Sequence, residues 1–165
     1  MVSYRQKGNK MKYGQMLNNM LLLATTAHAG QYDRGGAPYI LHPMKVMHYL
    51  KTTDEELMCI ALGHDVIEDT KTTYVDLIDA GMSMRVINGI KALTKQPGQT
   101  YDEYKAIVFQ SEDAMRVKLC DLRHNTDIRR LKGVSEKDIE RMAKYQRFYL
   151  EIQTRLADID LLKGY

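Results

Sequence analysis

The chain has 165 residues, 44% of them hydrophobic, with 24 Lys and Arg against 21 Asp and Glu and a formal charge of +3. That length suits one domain with a sizeable core. The mild positive charge is spread along the chain, apart from a cluster at Arg123, Arg129 and Arg130, and so excludes bulk nucleic-acid binding as the expected role. No apolar run approaches a membrane span, and the polar, basic stretch 1–12 has no apolar segment after it to make a secretion signal. A soluble protein without a membrane partner and with a cytoplasmic location is the expectation. Cys59 and Cys120 lie in apolar segments, which reads as two reduced, buried thiols rather than a disulfide.

Helical periodicity dominates the chain. Met16, Leu17, Met20, Leu21, Leu23 and Ala24 predict a helix over 13–29. A Gly-rich loop over 31–37 ends at Pro38. A short helix follows over 43–50 with Pro43 at its first position, as helix starts prefer. The central helix is expected over 54–68, capped by Thr53 or Asp54, with Glu55 and Glu56 in its first turn. Further helices are expected over 73–80, stopped by Gly81, and over 83–93, with Val86, Ile87 and Ile90 inward. After a loop at 96–99, 101–109 and 112–128 read as helices, the second with Met115, Leu119 and Leu122 on one side. Ser135 and Asp138 form an acidic variant of the capping box, opening a last helix that runs to 162. No alternating strand pattern persists. The reading is all-α: a single domain over 1–165 with its core in 13–130 and a capping helix over 135–162. The apolar residues Ile139, Met142, Phe148, Leu150, Leu161 and Leu162 of that helix leave self-association into a homo-oligomer open.

The segment Ala61-Leu62-Gly63-His64-Asp65-Val66-Ile67-Glu68-Asp69-Thr70 sets a histidine and three acids into an otherwise buried helix. On one continuous helix His64 and Glu68 are four apart, as are Asp65 and Asp69, so all four share a stripe. Like charges crowded on a half-buried face need a positive partner, and the nearest cation in sequence is Lys71. A divalent metal accepts imidazole nitrogen and carboxylate oxygen together. Two other segments supply donors. His42 stands at a loop-to-helix junction beside Pro43. Asp121 follows an apolar stretch, with Asn125 one helical turn later and Lys118 and Arg123 close by. His42, His64, Asp65 and Asp121 give two nitrogens and at least two oxygens, a set suited to Mn²⁺, Fe²⁺ or Zn²⁺. His28 and His48 read as structural; His124 is unassigned.

Four stretches occur in order: Ala27-His28-Ala29-Gly30-Gln31, Gly36-Ala37-Pro38-Tyr39-Ile40-Leu41-His42-Pro43, His64-Asp65-Val66-Ile67-Glu68-Asp69-Thr70, and Lys118-Leu119-Cys120-Asp121-Leu122-Arg123-His124-Asn125. Together they resemble the HD-type hydrolase domain of the Rel/SpoT homologues, including the small single-domain alarmone hydrolases. The resemblance covers about residues 13–130. It implies an all-α HD-domain bundle around a single Mn²⁺, and removal of the 3′-pyrophosphate from ppGpp and pppGpp, the alarmones of the stringent response. It assigns the metal ligands to His42, His64, Asp65 and Asp121, and the orientation or activation of water to the catalytic pair Glu68 and Asp69. Asn125 falls near the substrate ribose and phosphate. One departure stands out: Asp33-Arg34 replaces two adjacent basic residues usual in the full-length enzymes. A second is Ile128, at a position that is polar in the family. Arg34, Lys45 and Lys95 are candidate counter-charges for the substrate phosphates, with solvated surface lysines the competing reading for the latter two. Tyr101 and Tyr104 are suited either to stacking on a purine or to the core.

Other functions stay open at this point. An HD phosphohydrolase acting on another nucleotide, a nucleoside monophosphate or the 2′-phosphate of NADPH, fits the same metal set. So does a non-catalytic, metal-stabilised module that binds a nucleotide or a protein. A helical adaptor without an ion is the plainest alternative.

Overall fold

The computed structural model describes residues 12–164; the N-terminal stretch read above as lacking a secretion signal lies outside them, Lys12 excepted. The helices, in order, are α1 Gln15–Ala27, α2 Leu41–Leu50, α3 Glu55–Gly63, α4 Val66–Asp69, α5 Tyr74–Asp79, α6 Met84–Leu93, α7 Tyr101–Val108, α8 Glu112–Asn125 and α9 Glu136–Leu162, with one 3₁₀ turn at Ile128–Arg130. Among the described residues the only extended pairing is an isolated bridge between Tyr32 and Pro38. None of these helices is long and apolar enough to cross a membrane. The architecture is the expected all-α bundle.

Local chemistry accounts for most helix starts. Asp54 accepts the backbone N–H groups of Glu56 and Leu57 and opens α3. Thr73, Thr100 and Ser135 each form a reciprocal capping box with the acid three residues on. Ser83 and Ser111 cap α6 and α8 with their hydroxyls. The guanidinium of Arg85 spans Asp54, Glu56 and Asp113, tying the starts of α3, α6 and α8 together.

Helix α3 is the centre of the bundle. Cys59, Ile60, Ala61 and Leu62 are fully buried in succession, so every face of the helix meets protein. It packs on α1, α2, α6 and α8. Both cysteines are buried and free, as the sequence predicts. Gly89 lets α6 approach α3 closely: a Cβ there would lie 2.5 Å from Ile60 Cδ1 and 2.8 Å from Cγ1. Gly89→Ala gains helix propensity of about 1 kcal/mol. The overpacking costs about 1–3 kcal/mol. A net loss of stability is expected in chemical denaturation. Wild-type stability in the variant would mean that α3 and α6 part freely.

Three differences from the sequence reading bear on the site. The predicted central helix is broken: α3 ends at Gly63 and α4 begins at Val66, with Asp65 at φ −105° and ψ −6°. Helix α2 begins at Leu41, so His42 lies inside its first turn and Pro43 is third rather than first. Pro is still tolerated there because the first-turn N–H groups lack intrahelical partners. Helix α8 stops at Asn125, and a cap at Thr126 separates it from the 3₁₀ turn. Helix α9 packs along α8 and buries Phe148, Ile152 and Leu156, while Ile139, Leu150, Leu161 and Leu162 remain exposed.

Candidate metal centre and the cleft beside it

The break between α3 and α4 shapes the site. On an unbroken helix, residues 64 and 65 would diverge by about 100°. Here His64 Nε2 and Asp65 Oδ2 come within 3.0 Å of each other. The stripe geometry expected for residues 64–69 is therefore replaced by a bend that turns two consecutive side chains to one point. Helix α2 brings His42 Nε2 to 3.4 Å from Asp65 Oδ2. Helix α8 brings Asp121 Oδ1 to 3.1 Å from His42 Nε2 and 3.7 Å from His64 Nε2. Donors held about 2.1 Å from one ion at 90–109° lie roughly 3.0–3.4 Å apart, so three of these separations are those of a coordination shell, and the 3.7 Å between His64 and Asp121 is wider. His42, His64 and Asp65 present donor atoms all within 4.8 Å of one another.

Ring orientation supports the same use. His64 Nδ1 sits 2.7 Å from the Ala61 carbonyl, an acceptor, so it carries the proton and leaves Nε2 with a lone pair. That Nε2 is buried and makes no hydrogen bond, despite its closeness to Asp65. An orphaned imidazole nitrogen facing two carboxylates fits a cation. Without one, protons take its place. Burial depresses the His64 pKa, but Asp65 and Asp121 outweigh it and push the ring up to about 10. His42 is raised for the same reason, burial opposing and Asp121 and Asp65 prevailing. Burial raises the Asp121 carboxyl, but Lys118 and the imidazoles hold it well below the ordinary range.

Further side chains hold the candidate ligands. Tyr39 Oη lies 2.7 Å from Asp65 Oδ2 and 3.1 Å from Asp69 Oδ2, a single proton between two carboxylates. Lys118 Nζ bonds Asp121 Oδ2 at 2.8 Å, and Asn125 Nδ2 donates to Asp121 Oδ1 at 2.6 Å. Glu68 and Asp69 stand at the exposed rim, and Glu68 Oε2 accepts the Lys95 N–H at 2.9 Å. Partial enclosure, with Asp65 adding its charge, holds both carboxyls above the ordinary range.

A cleft opens beside His42, lined by Tyr32, Asp33, Arg34, Gly35, Tyr39, Asn125, Asp127, Arg130, Leu131, Arg141 and Tyr145. Arg34 and Arg141 share one carboxylate oxygen, Asp138 Oδ1, at 3.1 and 2.9 Å. One guanidinium charge is thus left over for an incoming anion. Asp33 does not face the cleft as a bare anion. Its Oδ2 pairs with Arg130 Nη2 at 2.9 Å, and its Oδ1 accepts the Gly35 and Ala37 N–H groups.

The structure therefore brings together His42, His64, Asp65 and Asp121, with Asn125 against Asp121 and Glu68 and Asp69 at the edge. Arg34 lies on the cleft wall. Lys45 lies outside it, its Nζ 5.3 Å from the Tyr49 ring centroid. Lys95 is exposed and touches the site through its backbone. Tyr104 is buried and donates to the Leu93 carbonyl, and both Tyr101 and Tyr104 pack on Phe148, so core packing rather than purine stacking is their role. Sequence reasoning gave no site role to Tyr39, His124, Arg130, Arg141 or Tyr145. Tyr39 and His124 lie within the quoted motifs; Arg141 and Tyr145 come from α9, where no local pattern marks them.

A helical bundle that brings two histidines and two aspartates together from α2, α8 and the bend between α3 and α4, beside an arginine-lined cleft, has the arrangement expected of the HD class. The chain is similar to the (p)ppGpp hydrolases of the SpoT type. It is 36% identical over 121 residues to "Bifunctional (p)ppGpp synthase/hydrolase SpoT" of Escherichia coli K12, covering 66% of this chain and 17% of the relative. It is 34% identical over 116 residues to the guanosine-3′,5′-bis(diphosphate) 3′-pyrophosphohydrolase of Haemophilus influenzae, covering 63% of this chain and 17% of the relative. With the protein of that name from Vibrio cholerae, identity is 33% over 153 residues, 87% of this chain and 21% of the relative. The chain thus spans about a fifth of the length of these curated relatives. No family model matches it. Among solved structures, one described as "A metazoan ortholog of SpoT hydrolyzes ppGpp and plays a role in starvation responses" superposes with a TM-score of 0.70 at 21% identity, covering 90% of this chain and 96% of the other. That likeness shows the fold.

Proposed function

We propose that the chain is a metal-dependent hydrolase that removes the 3′-pyrophosphate from ppGpp- and pppGpp-like alarmones, with Mn²⁺ as the working metal. The observation that carries this reading is the convergence of His42, His64, Asp65 and Asp121 at ligand-shell spacing beside a cleft with a surplus guanidinium charge. The named relatives point to the same substrate class.

The residues divide the work by position. His42, His64, Asp65 and Asp121 would hold the cation, which when bound supplies a lowered water pKa and neutralises phosphoryl charge. Glu68 or Asp69 accepts the proton of the attacking water and aligns it on phosphorus. The bond from phosphorus to the ribose 3′-oxygen breaks, and a proton goes to that oxygen. Arg34 and Arg141 meet the remaining phosphate oxygens; Arg suits this because its planar fork matches them in pairs. Asn125 lies between Asp121 and the cleft, where the ribose and its phosphate would sit. Lys45 and Lys95 contribute charge at longer range.

The alternative substrates drew their support from Asp33, as an acid where cations are usual. Its pairing with Arg130 removes the repulsion on which that argument rested.

The test is a nucleotide panel on protein stripped by chelator and reloaded with Mn²⁺. Pyrophosphate release from ppGpp is expected. Release of orthophosphate only, from a nucleoside monophosphate or NADPH, would overturn the substrate. Background rates with every nucleotide would overturn the enzyme.

A further inference from the structure

The two ring nitrogens of His42 meet different surroundings. Nε2 faces Asp121 and Asp65 at 3.1 and 3.4 Å. Nδ1 lies 2.6 Å from Nδ1 of His124. Such a contact holds a single proton, so one ring donates and the other accepts. A lone pair on Nε2 for a cation requires the His42 proton on Nδ1. His124 must then accept at Nδ1 and carry its own proton on Nε2. The rings are inclined by only 19° with centroids 4.9 Å apart, which suits an in-plane N–H···N bond. His64 obeys the same rule with a more ordinary partner, the Ala61 carbonyl.

We infer that His124 is a positioning residue of the metal centre: the lone pair on its Nδ1 fixes the tautomer and the ring angle of His42. The inference rests on the metal reading proposed above. His124 is itself held on two sides. Its carbonyl accepts Arg130 Nη1 at 2.9 Å, and its ring meets Tyr49 edge-on with centroids 6.2 Å apart. It lies three residues beyond Asp121 on α8, so one helix face carries both a ligand and the group that orients another ligand. Metal-bound histidines usually donate their second nitrogen to a carboxylate, a carbonyl or water. Here a second imidazole fills that place.

Two substitutions separate hydrogen bonding from packing. His124→Asn keeps an acceptor near the position of Nδ1 and loses the ring. His124→Phe keeps a ring against Tyr49 and loses the acceptor. Mn²⁺ affinity is read from the six-line electron paramagnetic resonance signal of the free ion during titration, with metal-free thermal melts verifying that each variant is folded. His124→Phe is expected to bind Mn²⁺ about 10- to 100-fold more weakly than wild type, the usual effect of losing such a partner, and His124→Asn to stay close to wild type. If His124→Phe does not fold, His124→Leu takes its place. Equal affinities in the two variants, or tighter binding by the aromatic one, overturn the inference. If wild type itself fails to take up Mn²⁺, the metal reading falls and this inference with it. If wild type binds and His124→Phe binds as well, only the inference falls.

Discussion

Asp65→Ala is expected to leave a folded protein that no longer retains Mn²⁺, whereas Glu68→Gln is expected to retain Mn²⁺ and lose rate. Asp65 Oδ2 is the atom on which the site converges: His64 Nε2, His42 Nε2 and Tyr39 Oη lie 3.0, 3.4 and 2.7 Å from it. Removing that carboxylate deletes a donor, leaves the Tyr39 hydroxyl to Asp69 alone and strips negative charge from between two imidazoles. Glu68 differs in kind. It stands at the rim, and the backbone N–H of Lys95 holds it. A glutamine there keeps an acceptor for that N–H but cannot take up a proton from water. The rate loss is therefore expected to match that of a missing general base, about 10²–10⁴-fold. Metal content after dialysis, by atomic emission, and initial rate at saturating Mn²⁺ check the two halves separately. Equal metal loss in both variants would place Glu68 among the ligands and leave Asp69 as the base.

The cluster of His42, His64, Asp65 and Asp121 was legible because acids and histidines interrupt apolar runs, and a buried charge without a partner is too costly to be accidental. Two cap residues made helix starts legible too, Asp54 for α3 and Ser135 for α9; Thr73, Ser83, Thr100 and Ser111 cap helices in the same way. The bend at His64 and Asp65 was not legible. Both residues tolerate helical dihedrals, and the apolar pattern continues through Val66, so only convergence with α2 and α8 reveals that the helix must turn there. The role of Asp33 was hidden for a related reason. Its sequence neighbours are Tyr32 and Arg34, but its partner Arg130 is 97 residues away. Arg141 and Tyr145 reach the cleft from α9 because that helix packs along α8, a tertiary fact with no local signal.

Lys118→Met is expected to destabilise the metal-free protein strongly and the Mn²⁺-loaded protein much less. Lys118 Nζ lies 2.8 Å from Asp121 Oδ2 and 5.4 Å from the Tyr104 ring centroid. The Asp121 side chain is 4% exposed, so water cannot replace the ammonium group. Methionine matches the length of the stem but brings no charge. Taking one member from a buried pair costs about 3–5 kcal/mol, because the other is left buried and unpaired. Asn125 and the two imidazoles still contact Asp121 Oδ1, which places the expected loss near the lower end, about 3 kcal/mol, in urea denaturation with chelator present. Cation binding changes the balance. A divalent ion at the site supplies positive charge to the same carboxylate, and without Lys118 it no longer has a neighbouring ammonium to repel it. Mn²⁺ is therefore expected to raise the melting temperature of Lys118→Met by more than it raises that of wild type. An equal destabilisation with and without Mn²⁺ would mean that Asp121 does not share its charge between the lysine and the metal site, and little destabilisation in either state would mean that Lys118 serves only to fill space beside Tyr104.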